Sequence, residues 1–197
     1  MNVIFSHIFV LTFVLIDDFT GMDSALECFQ KQHPIEASPV ARYVLGVTMF
    51  LITMISILLN IIIAMVIFRT SLTDKPIRPH ITGLVIASLI FLSSNCFTLL
   101  PTVLGDVHII DPYNIIFTTP NTLGYLLIMF TTTTMAIDRF LIFFTSSIGL
   151  LSSVVFRWVI FMGMPYTFAL ILTVHMNIIG CYKRVNLYTL GFTYGCR

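Results

Sequence analysis

The chain has 197 residues, of which 57% are hydrophobic and only 10% charged, with a net charge of +1 and a mean hydropathy of +0.99. Soluble domains average about 45–50% apolar and about 25% charged residues, so this chain lacks the polar surface to cover a water-soluble globule. It reads as one compact integral membrane unit with short loops, and the absence of a basic cluster gives no sign of a nucleic-acid partner.

Val3 to Ile16 is apolar except at Ser6, His7 and Thr12. Its 14 residues cover about 21 Å as a helix, short of the ~30 Å hydrocarbon core. The length resembles a signal-peptide core, but there is no basic flank and no small-x-small cleavage site. A cleaved signal, an interfacial segment and a loose tail all remain open for residues 3–16. The polar stretch Asp17 to Arg42 completes an N-terminal segment, 1–42, read as solvated and extracellular.

Tyr43 to Phe68 is a first span of about 26 uncharged residues, long enough to cross with some tilt. Thr53, Ser56 and Asn60 are spaced three and four apart and share a face. That face is expected to turn toward other helices. Thr53 and Ser56 read as inter-helix glue, and Asn60, costlier to bury, as the residue with a defined partner. The following loop carries Arg69, Lys75 and Arg78, with Pro76 and Pro79 breaking the helix. Three cations in a short loop mark the cytoplasmic side and put the N-terminus outside.

A second span is predicted over 81–104, with Asn95, Thr98 and Thr102 on one face and Ser88 two turns before Asn95. Pro101 is expected to kink or end it. Cys96 reads as a small packing residue. The next loop holds Asp106, His108 and Asp111 without a cation, which suits an external loop of solvated residues more than a metal site.

The third span, 115–144, carries Pro120 near its start, where proline is best tolerated. Gly124, Thr131, Thr134 and Asp138 follow heptad-like spacing, so the acid shares a face with the small residues. Span parity puts Asp138 and Arg139 at the cytoplasmic end. A fixed charge inside a bilayer costs roughly 3 kcal/mol on insertion scales, so the pair is either a boundary marker or a working part. A fourth span is expected over 154–179, with Trp158 at the interface, Pro165 kinking it and His175 near its outer end. Residues 43–180 thus form the transmembrane region. Residues 181–197 return outside, where Tyr182, Tyr188, Phe192 and Tyr194 alternate with polar residues as in a short hairpin. Cys181 has two candidate partners, Cys196, which would close a small loop, and Cys28; either pairing leaves one of the three external cysteines unpaired. No span holds paired carboxylates, a histidine cluster or a nucleophile–base pair. No catalytic residue, metal ligand or cofactor is therefore assigned, and neither an enzyme nor a transporter is indicated.

Asn60 in LLN, Asp138-Arg139-Phe140 in MAIDRFLIFF and the segment GCYKRVNLYTLGFTYGC together resemble the N-terminal part of a rhodopsin-like seven-helix receptor, of the nematode serpentine chemoreceptor kind and Srx-like in flavour. The resemblance covers Tyr43 to Arg197 and implies an all-α fold that stops after the fourth helix. It implies a plasma-membrane G-protein-coupled chemosensory receptor, or a truncated fragment of one. Its partners would be lipid, a heterotrimeric G protein and an unidentified small-molecule or peptide ligand. In that family the acid and the sixth helix restrain the arginine at rest, and the freed arginine lines the G-protein pocket. By resemblance Arg139 switches, Asp138 restrains and Phe140 completes the motif. Ligand contacts would come from Asn95, Asn121, Tyr125 and His175, with Asn60, Ser88 and Asn95 as the intramembrane polar set. The chain departs from the family in three ways: Ser88 stands where an acid is usual, no cysteine lies between Phe97 and Gly180, and helices five to seven do not follow. The alternative expectation is a non-signalling four-helix membrane scaffold or accessory protein.

Overall fold

The computed structural model describes residues 38–69, 77–144, 159–186 and 188–195. The signal-like stretch 3–16, Lys75, Trp158 and Cys196 lie outside them. Most of the described residues are helical, and among them four helices are long and apolar enough to cross a membrane, Pro39–Arg69, Arg78–Gly105, Tyr113–Leu141 and Val159–Ile178.

Helix α1 (Pro39–Arg69) starts four residues before the expected boundary. Ser38 and Pro39 set that start. The Ser38 hydroxyl accepts from the Ala41 N–H at 3.2 Å, and Pro39 takes the first helical position, where its missing N–H costs nothing. Arg42, expected in the solvated segment, therefore lies in the first turns of the helix. The 31 residues reach about 46 Å, more than the hydrocarbon core needs. Only 11% of its most apolar window is buried, so most of its apolar surface is left for lipid or further helices.

The second span is not one uniform helix. Helix α2 (Arg78–Ser94) passes into a π-helical turn (Asn95–Leu99) and then α3 (Leu100–Gly105). In this turn the Leu100 N–H donates to the Asn95 carbonyl, five residues back. Pro101 supplies the reason. It has no N–H, and its ring crowds the carbonyl four residues earlier; a wider turn relieves both. The expected proline kink is thus a π-turn. At its end Asp106 adopts a left-handed φ of 53° and donates its N–H to the Pro101 carbonyl. The same pattern recurs in the fourth span, where a π-turn (Val159–Gly163) precedes Pro165 in α5 (Met164–Ile178). Helix α4 (Tyr113–Phe144) carries Pro120 inside it.

Several threonines inside the spans satisfy their hydroxyls on their own helices. Thr98 donates to the Ser94 carbonyl at 2.6 Å, Thr133 to Met129 at 2.8 Å and Thr173 to Ala169 at 2.8 Å. Such back-bonding lets a polar residue stand in an apolar medium without a distant partner.

The chain divides into two compact units. One comprises Met1–Ile52, Ser94–Pro120 and Val174–Arg197; the other comprises Thr53–Ser93 and Asn121–Thr173. In the first, strands β1 (Tyr182–Asn186) and β2 (Gly191–Gly195) form the expected antiparallel hairpin, with Lys183 opposite Tyr194 and Val185 opposite Phe192. The Asn186 side chain accepts from the Tyr188 N–H at 2.9 Å and helps the chain turn. A lone hairpin is marginal. Here Val185, Leu190 and Phe192 pack on Leu99, Val103 and Leu45.

In the second unit Ala87, Leu127 and Ala169, from α2, α4 and α5, form the buried centre. Gly124 lets α2 and α4 approach: a Cβ there would lie 2.7 Å from the Phe91 backbone nitrogen. Small residues at such crossings allow close packing where no hydrophobic force drives helices together.

Candidate functional site

Helix geometry decides how the acid and its neighbour are displayed. Consecutive residues on a helix point about 100° apart. Gly124, Leu127, Thr131 and Asp138 all lie on the buried face of α4, as the heptad-like spacing predicts for three of them. Asp138 is 1% exposed. Arg139, one step on, faces outward and is exposed, as is Phe140. The side chains of the pair therefore diverge.

The Asp138 carboxylate meets His80. His80 Nε2 lies 3.2 Å from Asp138 Oδ2, and the histidine is itself fully buried. An imidazole Nε2–H donates to a carboxylate whether the ring is neutral or cationic. The bond offsets the cost of burying an acid in an apolar surround. The Phe161 ring, from the π-turn of the fourth span, lies 5.0 Å from the His80 ring at 50°. One further contact holds the turn that carries His80: the Tyr166 hydroxyl donates to the Gly83 carbonyl at 3.2 Å. His80 had no assigned role in the sequence. The signal was present: span parity puts the start of the second span and the end of the third at the same face, so a histidine beside Pro79 was in reach of an acid needing a partner.

The other candidates are dispersed. Asn60 donates from Nδ2 to the Ser56 carbonyl of its own helix at 2.8 Å, so its defined partner is local. Thr53 on the same face is buried, and Ser88 and Asn95 are half-buried. Asn121 is fully buried, while Tyr125, one turn later, is 52% exposed. His175 is exposed in the last turn of α5.

The hairpin carries a second polar cluster, within the first unit. Asn114 acts as a short strand edge, its Oδ1 accepting from the Val185 N–H at 3.0 Å and its Nδ2 donating to the Val185 carbonyl at 3.3 Å. Thr118 donates to the Lys183 carbonyl at 2.6 Å. Arg184 Nε donates to Asp111 Oδ2 at 2.8 Å, and both side chains are buried. Asp111 is therefore not the solvated loop residue expected; it is the counter-ion that holds β1. Asp106 is exposed and pairs with Arg42, and His108 is exposed. Lys183 lies 4.6 Å from the Phe192 ring centre and 5.4 Å from that of Tyr194, and burial lowers its pKa below 10.5. Cys181 is disulfide-bonded to a cysteine outside the described residues, and Cys96 is free.

The sequence matches no family model and no curated protein.

Proposed function

We propose that the chain is the N-terminal part of a multi-pass signalling receptor, in which Arg139 carries the cytoplasmic switch. The supporting observation is the division of labour on α4: an acid buried against His80 and, one residue on, an exposed arginine. A charge pair that only marked a membrane boundary would gain nothing from burying the acid, since both groups would reach water by snorkelling. An acid with alternative partners makes a two-state element, which a receptor requires. In this reading the N-terminus and hairpin are extracellular, the loop with Lys75 is cytoplasmic and the membrane is the plasma membrane. The ligand is a small molecule or peptide, and the partner is a heterotrimeric G protein. The reading expects three further apolar stretches of about 20 residues to be encoded beyond Arg197.

Arg139→Ala in the full-length protein is expected to abolish G-protein nucleotide exchange while leaving membrane insertion intact. Exchange at the wild-type rate in a correctly inserted variant sinks the receptor reading and leaves the four-helix scaffold.

A further inference from the structure

We propose that the outer edge of β2 is a docking site for an extended peptide, which adds to the hairpin as a third strand. That such a peptide is the signalling ligand rests on the receptor reading; the edge itself does not.

The register decides which backbone groups face out. In an antiparallel pair, alternate residues bond to the partner strand, and the residues between them turn both N–H and C=O away from it. Asn114 takes the Val185 N–H at 3.0 Å and donates to the Val185 carbonyl at 3.3 Å, and Thr118 donates to the Lys183 carbonyl at 2.6 Å. Val185 and Lys183 are therefore the outward residues of β1, and side chains of α4 close that edge. Their cross-strand partners, Phe192 and Tyr194, must then be the outward residues of β2. No described residue pairs with the outward backbone groups of these two. Arg184, Val185 and Asn186 of β1 are buried, whereas no residue of β2 is, and Tyr194 is 52% exposed.

The composition of β2 leaves this edge open to pairing. Natural sheets blunt a free edge with charge, proline or a bulge. Gly191–Gly195 has neither charge nor proline, and it pairs residue for residue with β1, without a bulge. Phe192, Thr193 and Tyr194 are of the aromatic and β-branched types that favour strands. Phe192 and Tyr194 share one face, with the Lys183 ammonium over both rings; Gly191, Thr193 and Gly195 share the other. A Cβ on Gly191 would meet only the Thr189 carbonyl oxygen, at 3.8 Å, so that face has room for an incoming side chain. Two N–H and two C=O groups repeating about 7 Å apart along a strand match one kind of partner, another extended backbone. Its alternate residues would be aromatic or β-branched, to pack on the ring face, and small or polar on the glycine face.

The test uses the full chain in lipid nanodiscs and a pool of acetylated peptide amides, Thr-X-Thr-X-Thr, in which X is Val, Ile, Phe or Tyr. Amide hydrogen exchange is read residue by residue. Without peptide, the Phe192 and Tyr194 amides should exchange at least about tenfold faster than that of Thr193, whose N–H lies in the ladder. Saturating peptide should bring both down to the Thr193 rate. Peptides N-methylated at one alternate set of positions should lose this effect and those methylated at the other set should keep it, because only one set faces the edge. Tyr194→Pro spares the ladder, since the lost N–H points away from β1. It should weaken the peptide about three- to tenfold relative to Tyr194→Ala, as loss of one backbone hydrogen bond implies. Should Tyr194→Pro fail to fold, the methylated peptides decide alone. Absence of protection by any peptide in the pool, or equal effects of the two methylated sets, overturns the proposal. So does protection that precedes peptide addition and grows with protein density, which puts a second copy on the edge. Peptide protection of both amides together with normal signalling by Arg139→Ala keeps the docking site and removes only the receptor reading; lack of protection with signalling abolished by Arg139→Ala does the reverse.

Discussion

Gly124 offers the sharpest test of how the second unit is packed. A methyl group built there lies 2.7 Å from the Phe91 nitrogen, 2.8 Å from its Cα and 2.8 Å from its Cβ. These are mostly backbone atoms, so no side-chain rotation relieves the clash. Restoring ordinary contact needs α2 and α4 to separate by somewhat under about 1 Å, which loosens the packing around Ala87 and Leu127. Overpacking of this kind costs about 1–3 kcal/mol, and a backbone clash belongs at the upper end. Replacing glycine by alanine in a helix returns about 1 kcal/mol. Gly124→Ala should therefore lose about 1–2 kcal/mol net. Two other glycines serve as controls. At Gly46 a Cβ meets the end of the Leu104 side chain at 2.5 Å, and Leu104 is exposed enough to swing away. At Gly163 nothing lies within 4 Å. The expected order of stability is Gly163→Ala at or above wild type, Gly46→Ala slightly below and Gly124→Ala lowest. Unfolding of the purified protein in mixed detergent micelles, titrated with dodecyl sulfate and followed by circular dichroism, ranks the three. If Gly124→Ala is as stable as Gly163→Ala, the close approach of α2 and α4 is wrong.

Two further outcomes concern the hairpin. Removing one partner of the buried Arg184–Asp111 pair strands a charge, so Asp111→Leu or Arg184→Met alone should cost about 3–5 kcal/mol, while the double variant should cost well under the sum; limited proteolysis at 182–195 reads the loss, and additive effects would refute the pairing. Lys183 titrates below 10.5 because burial disfavours its cation. The folded hairpin thus binds that proton less tightly than the unfolded chain, and stability rises with pH through the window ending at 10.5, where the unfolded chain still holds the proton. The gap in melting temperature between Lys183→Met and wild type should accordingly shrink as pH is raised into that window, and a gap that is flat or widens would contradict the assigned burial.

Much of the architecture was legible in the residue order because lipid imposes few solutions. Without water to satisfy the backbone, long apolar runs must be helices, and the four spans follow from hydropathy and length alone. Even so, Ser38-Pro39 moved the first boundary: capping chemistry outranks hydrophobicity at a helix end. The prolines announced interruptions at Pro101 and Pro165, but not their form, because a kink and a π-turn relieve the same clash.

The candidate site divides in the same way. Periodicity placed Asp138 on the face shared by Gly124 and Thr131, since side chains about one helical repeat apart must align. It could not choose the acid's partner. Adjacency in sequence favoured Arg139, but the 100° step of the helix turns that side chain outward while packing brings His80 in from 58 positions away. Asp111 shows the same limit. A loop acid beside a histidine reads as solvated until a strand 73 positions on delivers Arg184 to it. Composition and periodicity marked which segments are long and apolar enough to cross a membrane and which face of α4 is buried, because those depend on local geometry and solvent. Which charge meets which depended on contacts between distant segments, and only tertiary packing supplied them.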